Sequence, residues 1–173
     1  VEKGGLALTR EANRADTRGL AFNDDGSRLY AVTRNPDALH TIEITSRDRA
    51  TGEGVQREVT GTIPLPDGPS SVMLRAMPDG TTMAYVPCYN ANEIHVVDPA
   101  SQAVVDSIEV DASPYNMVMD TADDRCNGPD SPCRAYVTLF DDTPRRNDEC
   151  EPDVGSCGSV AVIDLNPASA RYN

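Results

Sequence analysis

The chain has 173 residues, of which 39% are hydrophobic and 25% charged, and its formal net charge is −13. This composition is that of a globular protein of about one domain, and no apolar run approaches the length of a membrane span. A surface this acidic repels phosphate backbones and anionic membranes. We therefore expect neither a nucleic-acid partner nor insertion of this segment into a membrane.

Similar segments recur along the chain. In chain order, the first copy is DTRGLAF at 16–22, and a longer pair follows, with IPLPDGPSSVML at 63–74 lying 45 residues before IEVDASPYNMVM at 108–119. A tyrosine-bearing segment and then a Val- and Ile-rich segment follow each copy. These segments are RLYAV (28–32) and LHTIEI (39–44), MAYVP (83–87) and IHVVDP (94–99), and RAYVT (134–138) and VAVIDL (160–165). A fourth element matches REVTGTIPL (57–65) to VVDSIEV (104–110).

The recurring segments are short, rich in Val, Ile, Tyr and Thr, and bounded by turn signals such as DDG at 24–26 and PDG at 78–80. This pattern predicts antiparallel strands joined by hairpins. Four strands in a unit of about 50 residues are typical of a β-propeller blade. We therefore predict an all-β fold, a single partial β-propeller domain over 1–173 with blades of four antiparallel strands. The predicted units are 16–65, 66–110 and 111–173, with 1–15 as the end of a preceding blade.

About three blades are too few to close a ring, because propellers have about four to eight. Three blades alone would also leave an apolar sheet face open to water at each end. We therefore expect the remaining blades, on the same gene or on another chain, to be partners of this segment. A ring assembled from several copies of the chain is the alternative.

Four of the five cysteines form two pairs with equal spacing. Cys126 and Cys133 enclose NGPDSP, and Cys150 and Cys157 enclose EPDVGS. Such turn-forming residues can bring two Cα atoms within disulfide range, which predicts two disulfides and an extracytoplasmic location: periplasm, cell surface or secreted. Reduced thiols are the alternative. Cys88 lies in a predicted strand and is expected to be a buried free thiol.

The segment 85–119, YVPCYNANEIHVVDPASQAVVDSIEVDASPYNMVM, is similar to the YVTN-type β-propeller repeat of surface-layer and lactonase-like propellers. Tyr85 and Asp98 have the spacing of that repeat, Asn92 keeps its turn asparagine, and Cys88 replaces a motif asparagine. Weaker copies are YAVTRNPDALHTIEI at 30–44, and YVTL at 136–139 followed by VAVID at 160–164. The family includes binding proteins, surface proteins and enzymes, so the resemblance is informative about fold and not about function.

The resemblance also implies where a ligand would bind. In such propellers the first strand of each blade lines a central channel, and the loop entering it opens on the same face as the loop between strands two and three. The side chains placed near this channel mouth are Arg18, Ser70, Ser71, Tyr115 and Asn116. Arginine can hold a carboxylate or phosphate, and Tyr or Asn can orient a ligand. The alternative is that these residues satisfy backbone groups of turns.

A long insertion, FDDTPRRNDECEPDVGSCG at 140–158, falls on that same face. It carries carboxylates that could offer oxygens to Ca²⁺, the one cofactor that the sequence suggests: Asp141, Asp142, Asp148, Glu151 and Asp153. No EF-hand spacing is present, so a solvated acidic loop is the simpler interpretation. His40 and His95 hold the same position in consecutive blades and are interpreted as packing or surface residues.

The sequence contains no GxSxG, HExxH, P-loop or CxxCH motif. We therefore favour a non-enzymatic module that binds a protein partner or acts as a scaffold at the cell surface or in the periplasm. The alternative is part of a propeller enzyme, lactonase-like or quinoprotein-like, whose site at the channel mouth is completed by further blades. A third hypothesis is a Ca²⁺-stabilised structural propeller in a surface layer or filament.

Overall fold

The strands of this chain follow the predicted pattern of short hairpins. A computed structural model describes residues 8, 16–45, 56–77, 79–110, 112–120, 133–142 and 157–166. The strands in these ranges are β1 (Asp16–Phe22), β2 (Arg28–Arg34), β3 (Ala38–Thr45), β4 (Gln56–Pro64), β5 (Met73–Ala76), β6 (Thr82–Cys88), β7 (Glu93–Asp98), β8 (Ala103–Glu109), β9 (Pro114–Met119), β10 (Arg134–Asp142) and β11 (Cys157–Asp164). Within the same ranges, no helix has the length and hydropathy needed to cross a membrane.

The strands form three antiparallel sheets, each a meander in which neighbours in sequence are neighbours in space. The first sheet is β1-β2-β3-β4, the second is β5-β6-β7-β8, and the third is β9-β10-β11. Every pair of neighbouring strands is antiparallel. The prediction of an all-β partial propeller is confirmed: in the described part of the chain, three blades lie side by side and do not close a ring.

The hairpin turns use residues suited to their backbone geometry. Asp79 accepts hydrogen bonds from the amide and the hydroxyl of Thr81, at 3.0 and 2.6 Å, and these bonds lower the pKa of the Asp79 carboxyl. The hydroxyl of Ser101 and the amide of Ala100 lower the pKa of Asp98 in the same way. Asn92 has a left-handed φ of 56°, which asparagine tolerates better than most residues.

Side chains alternate between the two faces of each sheet, and the buried apolar residues therefore form two separate cores. One core lies between the first and second sheets, and the other between the second and third. In β6, Ala84, Val86 and Cys88 join the first core, whereas Tyr85 joins the second. Since successive side chains point to opposite faces, the second sheet is covered on both faces. Full burial of one such aliphatic side chain is worth about 1.5–3 kcal/mol, so the two cores hold the three sheets together.

The first strands of the three sheets lie close to one another, as in the inner edge of a propeller. Gly19 in β1 is so near the segment entering β5 that an added Cβ would lie 2.7 Å from the Cα of Ser71. Glycine is therefore required at this position for steric reasons. On β5, the buried Arg75 donates a hydrogen bond to the carbonyl oxygen of Leu165, which ties the second sheet to the third.

Candidate functional site

The loop face is the side of the molecule formed by the β2–β3 turn (35–37), the β6–β7 turn (89–92) and the segments 65–72 and 112–113 that enter β5 and β9. Arg34 donates from Nε to the carbonyl of Pro69 at 3.0 Å and from Nη2 to that of Gly68 at 3.1 Å. The Gly68 amide donates to a carboxylate oxygen of Asp37 at 3.0 Å. These charge-assisted bonds fix segment 65–72 of the second sheet against the first sheet.

Gly68 is itself required at the centre of this contact. Its φ is +81°, and an added Cβ would lie 2.9 Å from the amide nitrogen of Asn90. Its carbonyl also accepts a bond from the Tyr89 amide at 2.8 Å. One glycine therefore lets the two loops approach closely enough to position Tyr89 beside Arg34.

Ser70 joins the second sheet to the third. The residue is buried, and its hydroxyl lies 2.7 Å from the carbonyl oxygen of Tyr115, 3.0 Å from that of Pro87 and 3.2 Å from that of Pro114. A single hydroxyl hydrogen is thus shared among carbonyls of two sheets. Ser70 thus satisfies backbone groups, which was the alternative to ligand binding in the sequence-based prediction. Its hydroxyl has no hydrogen left to donate to a ligand.

The central feature of the loop face is an aromatic row, defined as Arg34, Tyr89, Tyr115 and Phe140. The ring centroid of Tyr89 lies 6.4 Å from that of Tyr115, with planes at 86°, and 6.0 Å from that of Phe140, with planes at 48°. The guanidinium carbon of Arg34 lies 5.9 Å from the Tyr89 centroid. Tyr115 is 49% exposed and Phe140 is 56% exposed. Edge-to-face rings and a cation over a ring are both favourable arrangements.

The row follows the internal repeat. Arg34, Tyr89 and Phe140 each stand four residues after the tyrosine of their sheet's second strand. Consecutive sheets therefore carry a large planar side chain at the same position of the loop face. Of these four residues, only Tyr115 was predicted from the sequence as a ligand residue. The signal was available, because the same alignment that pairs the tyrosines also pairs these positions.

The other predicted ligand residues have local partners. Arg18 is exposed and forms an ion pair with Asp16, a surface pair of the kind that is worth at most about 1 kcal/mol. Asn116 is exposed, and its side-chain oxygen accepts the Met117 amide at 3.0 Å. The Ser71 hydroxyl is buried and has no hydrogen-bond partner among the described residues. Of the predicted set, only Tyr115 lies in the aromatic row.

The cysteines and the acidic insertion are described in part. Cys88 is a buried free thiol, as predicted, and its burial, with nearby acidic groups such as Asp37, raises its pKa to about 12. Cys133 is buried and is not a free thiol, whereas Cys126 lies outside the described residues, so their pairing stays a prediction. Outside the described residues or side chains lie Cys150, Cys157, Asp141, Asp142, Asp148, Glu151 and Asp153. Elsewhere, within the described ranges, no group of three His, Cys, Asp or Glu side chains could hold a metal ion.

His40 is a packing residue. Its Nε2 lies 3.0 Å from the Thr33 hydroxyl and its Nδ1 lies 3.1 Å from the Thr62 hydroxyl. The Thr33 hydroxyl donates to the carbonyl of Pro36 at 2.9 Å, so it accepts from His40, whose Nε2 carries the hydrogen. Burial lowers the pKa of His40. His95, at the matching position, has its Nε2 2.6 Å from a Glu93 carboxylate oxygen.

These observations define the class: three consecutive blades of an incomplete β-propeller with an aromatic row on one face. The structure is similar to that of Kuenenia stuttgartiensis hydrazine synthase, with a TM-score of 0.59 and 17% identity over 98% of this chain and 41% of that chain. A protein of unknown function from Bacteroides caccae gives a TM-score of 0.49 and 10% identity over 90% of this chain and 44% of that chain. This chain therefore spans about two-fifths of each protein's length.

Comparison by sequence adds no relative: no protein family and no curated protein matches this chain. At 17% identity, the likeness to hydrazine synthase is evidence for the fold alone.

Proposed function

We propose that this chain is part of a YVTN-type β-propeller that acts outside the cytoplasm as a protein-binding module. In this proposal, the aromatic row is the centre of the binding surface. The observation that carries the proposal is the convergence of two aromatic side chains, Tyr115 and Phe140, on Tyr89 at the loop face, with both of them about half exposed.

The chemistry of the row favours a protein partner. Aromatic and arginine side chains are enriched in protein–protein interfaces, and they supply a large share of the binding energy. Arg34 is already held by two backbone carbonyls, so binding would cost little further ordering of that side chain. A preorganised row of planar side chains is thus suited to act as an anchor.

The negative charge of the chain favours a partner with basic residues. The net charge is −13, and Asp67, on the segment that borders the row, is exposed. Asn90 in the adjacent turn donates to that carboxylate at 3.1 Å, so the acidic group is held in place. A partner with an apolar anchor and a basic rim would complement this surface, and opposite charges would speed its association.

The predicted disulfides support the proposed location. Bridges Cys126–Cys133 and Cys150–Cys157 would form only in an oxidising compartment. The acidic insertion 140–158 begins at Phe140, so it starts within the row and would extend the binding surface. Peptide mapping by mass spectrometry without reductant tests both bridges, and alkylation of Cys126, Cys133, Cys150 and Cys157 in the denatured, unreduced protein would contradict them.

The binding proposal is tested with exposed aromatic residues. The immobilised chain and a Tyr115→Ala/Phe140→Ala variant are compared in capture of proteins from the periplasmic and cell-surface fractions of the source organism. We expect the affinity of a specific partner to fall about tenfold or more in the variant, the loss typical of an interface anchor. Both rings are about half exposed, so the fold should remain intact.

Phe22 supplies the matched control. It is an aromatic residue with 58% exposure that lies on the first sheet outside the row. We expect Phe22→Ala to retain the partner with unchanged affinity. Equal losses in the two variants, or capture that depends on neither, would contradict the proposal.

A further inference from the structure

The aromatic row already holds one cation. The guanidinium carbon of Arg34 lies 5.9 Å from the ring centroid of Tyr89, within the distance at which a cation is attracted to the face of an aromatic ring. The edge of the same guanidinium donates to two backbone carbonyls, from Nε at 3.0 Å and from Nη2 at 3.1 Å. Ring contact and hydrogen bonds to oxygen together show how an arginine is held on this surface.

Two further rings of the row are open to solvent. Tyr115 and Phe140 both contact Tyr89, yet they are 49% and 56% exposed. Their planes are inclined to that of Tyr89 by 86° and 48°, so the three rings are not stacked face to face. The face of an aromatic ring is its negative side, and an exposed ring can therefore accept a cation from outside the chain.

The charges around the row are mainly negative. The segments that form the loop face contain two aspartates, Asp37 and Asp67, and no lysine or arginine. Glu93 directly follows the β6–β7 turn. Burial and these three carboxylates raise the pKa of Cys88, which immediately precedes the central ring of the row, to about 12, whereas Arg34 acts in the opposite direction. Three acidic groups thus surround one basic group, and this local excess of negative charge attracts cations.

We propose that the exposed rings of the aromatic row bind an arginine side chain of the protein partner. This inference rests on the proposed function and specifies its anchor. The partner's guanidinium would lie against Tyr115 and Phe140 as that of Arg34 lies against Tyr89, and the carboxylates of the loop face would supply the opposite charge. Arginine suits this surface better than lysine, because a planar, weakly hydrated guanidinium stacks on aromatic faces, whereas an ammonium group is strongly hydrated.

Three peptides that differ in one side chain test the proposal. Each is a blocked glycine peptide whose central residue is arginine, lysine or citrulline, and the urea group of citrulline has nearly the shape of a guanidinium without its charge. Binding to the whole chain is followed by NMR through the ring resonances of Tyr115 and Phe140. We expect the arginine peptide to bind about fivefold more tightly than the citrulline peptide, because a cation–ring contact is worth about this factor. It should also bind more tightly than the lysine peptide.

Substitutions that preserve the charge of the chain provide the controls. Tyr115→Leu/Phe140→Leu keeps apolar bulk but removes both exposed ring faces, so the preference for arginine over lysine should disappear. Phe22→Leu, at an exposed ring outside the row, should retain that preference. The arginine and lysine peptides carry the same charge, so general attraction to the acidic chain does not distinguish them. Unchanged amide spectra away from the row would show that the variants fold.

Two results would overturn the inference. One is an affinity of the wild type for the arginine peptide that does not exceed its affinity for the other two. The other is a preference for arginine over lysine that persists in Tyr115→Leu/Phe140→Leu.

Partner capture separates this inference from the proposed function. A partner that is lost with Tyr115→Ala/Phe140→Ala but retained with Tyr115→Leu/Phe140→Leu would identify an apolar anchor, so the binding proposal would stand and the arginine inference would fall. A row that prefers the arginine peptide in a chain that captures no partner would contradict the proposed function and leave the arginine site in place.

Discussion

His40 illustrates how a polar residue can be buried at low cost. Both ring nitrogens have hydroxyl partners within 3.1 Å, and the hydrogen on Nε2 is assigned by the bond from Thr33 to Pro36. A satisfied neutral imidazole avoids the free-energy cost of an unpaired polar group. Protonation would add a charge inside the first sheet, which is why burial lowers the pKa of this residue from 6.5.

The lowered pKa predicts a specific pH dependence. The unfolded chain binds a proton at His40 near pH 6.5, whereas the folded chain resists it. Stability from this residue is therefore complete above that pH and decreases as the pH falls, by up to about 1.4 kcal/mol per pH unit. Urea unfolding of the wild type and of His40→Gln between about pH 7.5 and 5.5 measures the effect.

The variant is the control for the other titrating groups. His40→Gln keeps hydrogen-bonding capacity but lacks the titration, so its free energy of unfolding should depend less on pH than that of the wild type. Equal dependence in the two proteins would show that folding does not lower the pKa of His40.

Many of the strands could be predicted from the sequence, because the residues that determine a strand lie within the strand and its adjoining turns. Strands β2, β3, β6 and β7 lie where the tyrosine and Val/Ile segments predicted them, since alternation and turn residues determine them directly. The aligned segment 63–74 is different: it spans the end of β4, a connection and the start of β5. Pro66, Gly68 and Pro69 explain why no strand continues through it.

The aromatic row was harder to predict, because its members meet only when sheets pack. Tyr89 belongs to the second sheet, and Tyr115 and Phe140 to the third, so no spacing within one blade brings these rings together. Ser70 and Ser71 show the same limit. They are neighbours in one segment, yet only Ser70 reaches carbonyls of the third sheet.

These two serines give a matched prediction at the scale of elements. Ser70→Ala should lower the free energy of unfolding by about 1–3 kcal/mol, because it removes the buried hydroxyl that donates to the Tyr115 carbonyl of the third sheet. Ser71→Ala should be neutral or slightly stabilising, since it removes a buried hydroxyl that has no partner among the described residues.

Urea denaturation of the two serine variants measures the difference. A similar loss in both would mean that the shared effect is one of packing in this segment and not of the bond from Ser70.

At the scale of the whole molecule, the large net negative charge affects the stability of the fold. With a net charge of −13, the folded chain repels itself more strongly than the expanded chain. Salt shortens the range of this repulsion, from about 30 Å at 0.01 M to about 10 Å at 0.1 M. We therefore expect the thermal midpoint to rise over this range of NaCl, as measured by calorimetry.

The control for the salt effect is the pH. Near the isoelectric point the net charge is close to zero, so the same addition of NaCl should leave the midpoint nearly unchanged. A midpoint that falls with salt at neutral pH would mean that attractive ion pairs outweigh the net repulsion.

Three members of the aromatic row, Arg34, Tyr89 and Phe140, lie at the ends of second strands, and this position has a consequence for how such a repeat protein can be altered. Phe140 lies beyond the buried residues of β10, so an exchange there would alter the proposed binding surface without disturbing the core. Arg34, at the corresponding place in the first unit, lacks that freedom, because it also holds the backbone of the neighbouring blade. Redesign of the proposed binding surface should therefore begin with Phe140 and Tyr115 and keep Arg34 fixed.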